Sequence, residues 1–335
     1  MTKAWYLRLA ILATVLALGV VVLGAYVRLS AAGLGCPDWP GCYGHVGVPD
    51  THQAIAHADA LYANRPVEPA RAWKEMIHRY FAGTLATLIL ILTVGAWWRH
   101  RDTGRPVLVP SLLLLTVVFQ ALLGMWTVTL LLFPPVVMGH LLGGFTTFAL
   151  LWLLVLQTSG WLRAREGASD VMRWLAVAAL AVLVIQIALG GWTSSNYAAV
   201  ACPDFPTCQG QWWPAGMDFH DAFSWHGVGP DYQGGILTQA ARMAIHVTHR
   251  LGALLTFLTL SAASLTFMLR GNRILKRLGA AVGILLLLQI SIGIGMIESG
   301  LPLPLADAHN GVAALLLASV VALVWAAWSG RTMHE

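Results

Sequence analysis

Four histidines, one glutamate and four cysteines are the residues here whose types and spacing could do chemistry. Of 12 histidines, His78, His140, His249 and His309 stand at the ends of long apolar runs and match one another in an internal repeat. Ionisable groups in apolar spans are costly and mark functional positions by default. Two imidazoles on facing helices of a bundle can hold a planar macrocycle, their ring nitrogens serving as axial ligands to iron. A single such histidine is explained as well by a hydrogen bond to a neighbouring helix, but two symmetric pairs point to metal or haem ligation. No Cys-x-x-Cys-His motif occurs, so a haem here is expected to be non-covalent. The other histidines (His45, His52, His57, His100, His220, His226 and His334) read as loop residues.

Glu75 lies three residues before His78, on the same helical face. Its repeat mate is His246, three before His249. A carboxylate beside a histidine in one half only suggests chemistry in that half and passive binding in the other. The plain alternative is a surface glutamate favoured by the dipole at a helix start. His246 competes with His249 as a ligand; the shared dipeptides His78-Arg79 and His249-Arg250 favour His249. Arg28, Arg79 and Arg250 could pair with the propionates of a haem, or simply mark the membrane interface.

The only cysteines form two brackets, "CPDWPGC" from Cys36 to Cys42 and "CPDFPTC" from Cys202 to Cys208. Prolines at 37, 40, 203 and 206 bend these steps enough for each pair of sulfurs to meet. Two short disulfide-closed loops are expected, provided the brackets face an oxidising compartment. The rival is one zinc bound by four thiolates, although zinc pairs usually have about two to four intervening residues. "GLGC" ending at Cys36 faintly resembles a lipoprotein site, a reading that the second bracket, deep in the chain, weakens.

The elements that must position these residues are membrane helices. Of 335 residues 58% are hydrophobic and 10% charged, against about a quarter charged in soluble domains. Eight apolar runs near 20 residues read as spans: Trp5–Tyr26, Ile77–Trp98, Val107–Leu132, Val136–Leu156, Trp174–Trp192, Met243–Leu269, Leu278–Ile297 and Ala306–Trp328. The first is not read as a cleaved signal, because it lacks a small-residue cleavage site and Arg28 follows it. Basic residues favour cytoplasmic loops. A cytoplasmic N-terminus puts Lys3, Arg8, Arg99, Arg101, Arg105, Arg163, Arg165, Arg173, Arg270, Arg273, Lys276, Arg277 and Arg331 inside, 13 of the 20 Lys and Arg. Both termini are then cytoplasmic, and both brackets lie in long outer (periplasmic) loops, 29–74 and 194–240, of a multi-pass inner-membrane protein. The net charge of +5 is a topology signal and not a sign of nucleic-acid binding.

The chain reads as a duplicated four-helix unit. The brackets repeat at an offset of 166, with Gly24 and Ser30 falling on Gly190 and Asn196. "IHRYFAGTLATL" from Ile77 resembles "THRLGALLTFL" from Thr248; "QALLG" at Gln120 matches "QISIG" at Gln289; Pro135 falls on Pro304 and His140 on His309. Landmarks kept in order at nearly constant offset indicate internal duplication. Four helices per unit make the repeats parallel, related by a pseudo-twofold axis along the membrane normal. The expected fold is therefore all-α and polytopic, eight helices in two four-helix bundles, with domains 1–162 and 163–335.

These residues together resemble the haem A synthase family, in its bacterial type with cysteine pairs in both long outer loops. The resemblance covers nearly the whole chain. It rests on eight spans in two parallel halves, "EMIHR" with Glu75 and His78, the later His140, His249 and His309, and the pairs Cys36/Cys42 and Cys202/Cys208. It implies oxidation of the C8 methyl of haem O to a formyl group, giving haem A for terminal oxidases, by successive hydroxylations and loss of water. It further implies that His78 and His140 hold substrate haem O, that Glu75 is the catalytic carboxylate, and that His249 and His309 hold a resident haem b. An electron acceptor of unknown identity is needed, and haem O synthase and terminal-oxidase assembly factors are expected partners. The long insert "HVGVPDTHQAIAHADALYANRPVEP" has no assigned role. Rival readings are a di-haem b electron-transfer cytochrome, a membrane thiol–disulfide oxidoreductase, which leaves the paired histidines unexplained, and a parallel-repeat transporter, which lacks the expected discontinuous helices.

Overall fold

The computed structural model describes residues 2–103, 106–163 and 168–330, without the side chains of residues 99–103. Arg105, Arg165, Arg331 and His334 lie outside the described residues, as do the side chains of Arg99, His100 and Arg101. The helices are α1 (Lys3–Leu29), α2 (His52–Leu61), α3 (Pro69–Thr103), α4 (Leu108–Thr129), α5 (Pro134–Ser159), α6 (Asp170–Ser195), α7 (Phe219–Phe223), α8 (Gln239–Arg270), α9 (Arg273–Glu298) and α10 (Leu303–Ser329). Their starts are written locally. Thr2, Thr51, Ser169, Thr238 and Asn272 accept first-turn backbone N–H groups, and proline occupies the first turn of α5 and α10, where its missing N–H costs nothing.

Eight of these helices, all but α2 and α7, are long and apolar enough to cross a membrane. Their outward faces carry leucines, isoleucines and valines, among them Val15, Leu254, Leu258, Ile284 and Leu287. Such faces suit hydrocarbon, where the backbone must satisfy itself within each helix. The chain is a multi-pass membrane protein.

α1 packs on α3 and α5, α3 on α4, and α4 on α5; α6, α8, α9 and α10 pack in the same order. The two groups meet where α1 touches α10 and where α5 touches α6 and α10. Small residues allow close approach along this seam: Ala10, Ala13 and Ala17 of α1 and Ala314, Ala322 and Ala326 of α10 are buried in one continuous core. Four side-chain hydrogen bonds link residues 166 apart: Arg28 to the Ser194 carbonyl at 2.8 Å, Arg65 to the Asp231 carboxylate at 3.1 Å, Trp152 to the Ala318 carbonyl at 3.0 Å and Arg163 to the Ser329 carbonyl at 3.3 Å.

The helices extend past the apolar runs at several ends. α3 begins at Pro69 and not Ile77, because the polar turns "PARAWKEM" contain no breaker after the proline. His78, His140, His249 and His309 thus sit inside their helices and do not open them. The insert of the first long loop folds into α2, docked by Ala58 against the cluster holding Cys36, Cys42, Tyr43 and Met76.

Candidate functional site

Each cysteine bracket is a closed, internally bonded loop. Cys36 is disulfide-bonded to Cys42 and Cys202 to Cys208, with Cα atoms 4.8 and 4.6 Å apart. A short antiparallel bridge follows each second cysteine, Cys42 with His45 and Cys208 with Gln211. Asp38 accepts from the backbone N–H of Tyr43 and Gly44, and Asp204 accepts from those of Gln209 and Gly210 and from the Thr207 hydroxyl. These bonds hold Tyr43 and Gln209 at φ of 54°, an uncommon conformation for a residue with a side chain. The Asp204 carboxyl is accordingly held down to about 2, chiefly by Thr207 and then by Gly210. Tyr43 is pushed up to about 12, first by burial and then by the charges of Asp59 and Glu68; its hydroxyl donates to the Pro66 carbonyl.

The two arginines after the helix histidines fasten these loops. Arg79 donates to the carbonyls of Asp38, Pro40 and Gly41. Arg250 donates to those of Cys202, Asp204, Pro206 and Thr207. The loop carbonyls, with Glu75 for Arg79, thus engage the terminal nitrogens of both guanidiniums. Arg28 differs. It stacks on Tyr197 at 4.1 Å and donates to Ser194, while its buried Nε has no partner.

Glu75 is buried, 5% exposed, and so is not a surface residue at a helix start. One carboxylate oxygen accepts from the Cys36 backbone N–H at 2.9 Å and the other is paired with Arg79. This carboxylate is thereby tied to the first disulfide loop while lining the same cavity as His78 and His140. The matching His246 is also buried, but Nδ1 lies 3.2 Å from the Ala198 carbonyl and the ring anchors the second long loop.

The cavity measures about 830 Å³, within the range of small-molecule sites. Its walls come mainly from α1, α3, α4 and α5, with Gly191 of α6 and Asn310 of α10 at the edge, and its disulfide-loop end is roofed by Trp39, Pro40 and Gly41 of the bracket. The charged residues Arg28, Asp38, Glu75 and Arg79 gather toward that end, whereas Ala17, Val21, Leu85 and Phe145, with Gln120 and Thr147, line the deeper part. In the second half His249 and His309 lie within electrostatic reach of each other. There the Gln186 amide meets His249 Nδ1 at 3.1 Å and the Gln289 amide meets His309 Nε2 at 3.1 Å.

All four imidazoles rest against glycines. A Cβ added at Gly24 would lie 2.9 Å from the His78 ring, at Gly124 3.4 Å from His140, at Gly190 3.3 Å from His249 and at Gly293 3.0 Å from His309. At Gly24, Gly190 and Gly293 even a methyl group would crowd the ring against which it packs. The Nδ1 atoms of His78, His140 and His309 are buried with no partner. Buried nitrogen donors left unsatisfied, each packed against a glycine, form a donor set suited to an iron macrocycle.

In the sequence Gly24, Gly190 and the "QALLG"/"QISIG" pair read only as repeat landmarks, so the signal for these seats is visible there but its meaning is not. Asp38 and Asp204 stand inside the brackets, where nothing in the spacing marks them. Gln186 carried no signal, because position 20, which matches it, is a valine.

The model of the cytochrome oxidase assembly protein family, COX15-CtaA, matches residues 7–321. The chain belongs to this family. It is 45% identical over 334 residues to the heme A synthase of Shewanella oneidensis, covering 98% of this chain and 97% of that one. The heme A synthase of Caulobacter vibrioides is 27% identical over 329 residues, 91% of each chain. That of Bacillus licheniformis is 25% identical over 311 residues, 90% of this chain and 89% of the relative. Within this family member, the cavity, the buried carboxylate and the glycine-seated histidines lie in the matched region.

Proposed function

We propose that this protein is a haem A synthase, an oxidoreductase that converts the C8 methyl of substrate haem O to the formyl group of haem A. The carrying observation is the buried Glu75, one helical turn from His78 in a cavity shared with His140. The 45% identity to a heme A synthase along nearly the whole chain supports the same reading.

In this reading His78 and His140 bind haem O through its iron, with Gly24 and Gly124 fixing where their rings stand. Arg28, with its unpartnered Nε at the polar end of the cavity, is the cation for a propionate. Glu75 accepts a proton at a carboxylate oxygen as the methyl is oxidised. Arg79 and the Cys36 N–H hold that carboxylate in place. Trp39, Pro40 and Gly41 close the outer end and limit water. His249 and His309 hold the resident haem b, which when bound supplies one-electron redox chemistry. Taking a methyl to a formyl removes four electrons, so an acceptor, still unknown, must take them in turn. His246 is left to its loop, which favours His249 as the ligand.

The two halves, 1–162 with the substrate and 163–335 with the cofactor, are proposed to be related by a pseudo-twofold axis along the membrane normal. The hydrogen bond from Arg28 to Ser194 supports this, because these two residues match at the bracket offset of 166 and repeat mates touch one another only near such an axis. Both termini are placed in the cytoplasm and both disulfide loops on the periplasmic side of the inner membrane. Haem O synthase and terminal-oxidase assembly factors are the proposed partners in delivery and release.

Expression in cells that make haem O, followed by haem extraction with chromatography and mass analysis, tests the function. Haem A together with haem b is expected. Haem b alone, in a folded protein supplied with haem O, would make it an electron-transfer cytochrome instead.

A further inference from the structure

A second cavity, about 400 Å³, lies where the two halves meet. It is walled by α5, α6 and α10, and Thr146 is the only residue of its lining with a side-chain hydroxyl. The two cavities adjoin. Phe145 lines both. On α6, Gly191 belongs to the first and Ile187, one turn deeper, to the second. On α10, Asn310 belongs to the first and Leu317, two turns deeper, to the second. All three helices thus carry one wall from the site down toward the opposite membrane face.

We propose that this groove is the binding site for the isoprenoid tail of the substrate, a step that rests on reading His78 and His140 as the haem O ligands. Haem O bears a hydroxyethylfarnesyl chain at C2, on the edge of the macrocycle opposite its two propionates. The charged side chains of the first cavity, Arg28, Asp38, Glu75 and Arg79, stand at its disulfide-loop end, so the propionates belong there. The tail must then leave at the deep end, where Phe145 marks the junction. The wall beyond that junction, with Ala149, Leu180, Val321 and Val324, is apolar and unbranched by charge, suited to a flexible hydrocarbon chain. Burying that chain gives selection: protohaem, with a vinyl group at C2, gains nothing from the groove.

Filling the groove from either wall tests this, using purified full-length Ala149→Trp and Val321→Phe. Haem O and protohaem are titrated separately into protein holding its resident haem, and native mass spectrometry counts bound phospholipid. The unmodified protein is expected to bind haem O more tightly than protohaem, roughly tenfold or more. Either variant should remove that preference while protohaem affinity stays as it was. A preference intact in both folded variants overturns the proposal, as does a phospholipid that stays bound in the groove when haem O is present. His78→Ala separates the two levels of the reading. If haem O affinity is unchanged in that variant, the site assignment fails; if it falls while the groove variants keep the preference, only the tail assignment fails.

Discussion

Glu75 is the residue on which an enzyme differs most from a carrier. Its carboxylate is buried between the Cys36 N–H and Arg79, so a glutamine there keeps shape and one accepted hydrogen bond while losing charge and proton affinity. Glu75→Gln is expected to keep both haems bound and to cut haem A formation about a hundredfold or more, as for loss of a general base. Turnover near normal in haem-product assays would remove Glu75 from the mechanism. Asp204 makes a separate statement about the second disulfide loop. Folding lowers its pKa from 3.8 to about 2, so its contribution is fully present above 3.8 and is lost as pH falls through about 2. Hydrogen exchange at the Gln209 and Gly210 amides should therefore stay slow down to that window. Loss of protection with a midpoint at or above 3.8 would contradict the hydrogen-bonded carboxylate.

At the scale of elements, the histidines depend on the helices facing them. Gly24 of α1 and Gly124 of α4 leave room for His78 and His140, and a valine at either would push the ring aside, an overpacking cost of about 1–3 kcal/mol. Gly24→Val is expected to lower haem O occupancy about tenfold with haem b retained, and Gly293→Val to do the reverse. Haem extraction decides it; equal loss of both haems from either folded variant would mean that the seats are not independent. The eight spans and the outer brackets were legible because hydropathy and the cysteine spacing are local signals. The outer turns of α3 were not, since Arg71, Lys74 and Glu75 interrupt the apolar run without interrupting the helix. α2 was hidden because ten residues capped by Thr51 carry too little apolar periodicity to read. The glycine seats needed proximity between helices that no single stretch encodes, as did the capture of Arg79 and Arg250 by loop carbonyls.

For the whole molecule, the two four-helix groups pack in the same order and differ in what surrounds their histidines. The first kept Glu75 and a cavity reaching the outer loop; the second has His246 on its own loop and glutamine amides on both histidines. The bonds from Arg28 to Ser194 and from Trp152 to Ala318 join the two bundles and hold them at a fixed separation. The central claim is this division of labour between a substrate half and a cofactor half. The direct measurement is the haem content of purified His140→Ala and His309→Ala from cells that make haem O, typed by chromatography and mass. His140→Ala should retain haem b and lose haem O and haem A, while His309→Ala should lose haem b and retain haem O. Loss of every haem from both folded variants, or haem A still made by His140→Ala, would contradict two separate sites.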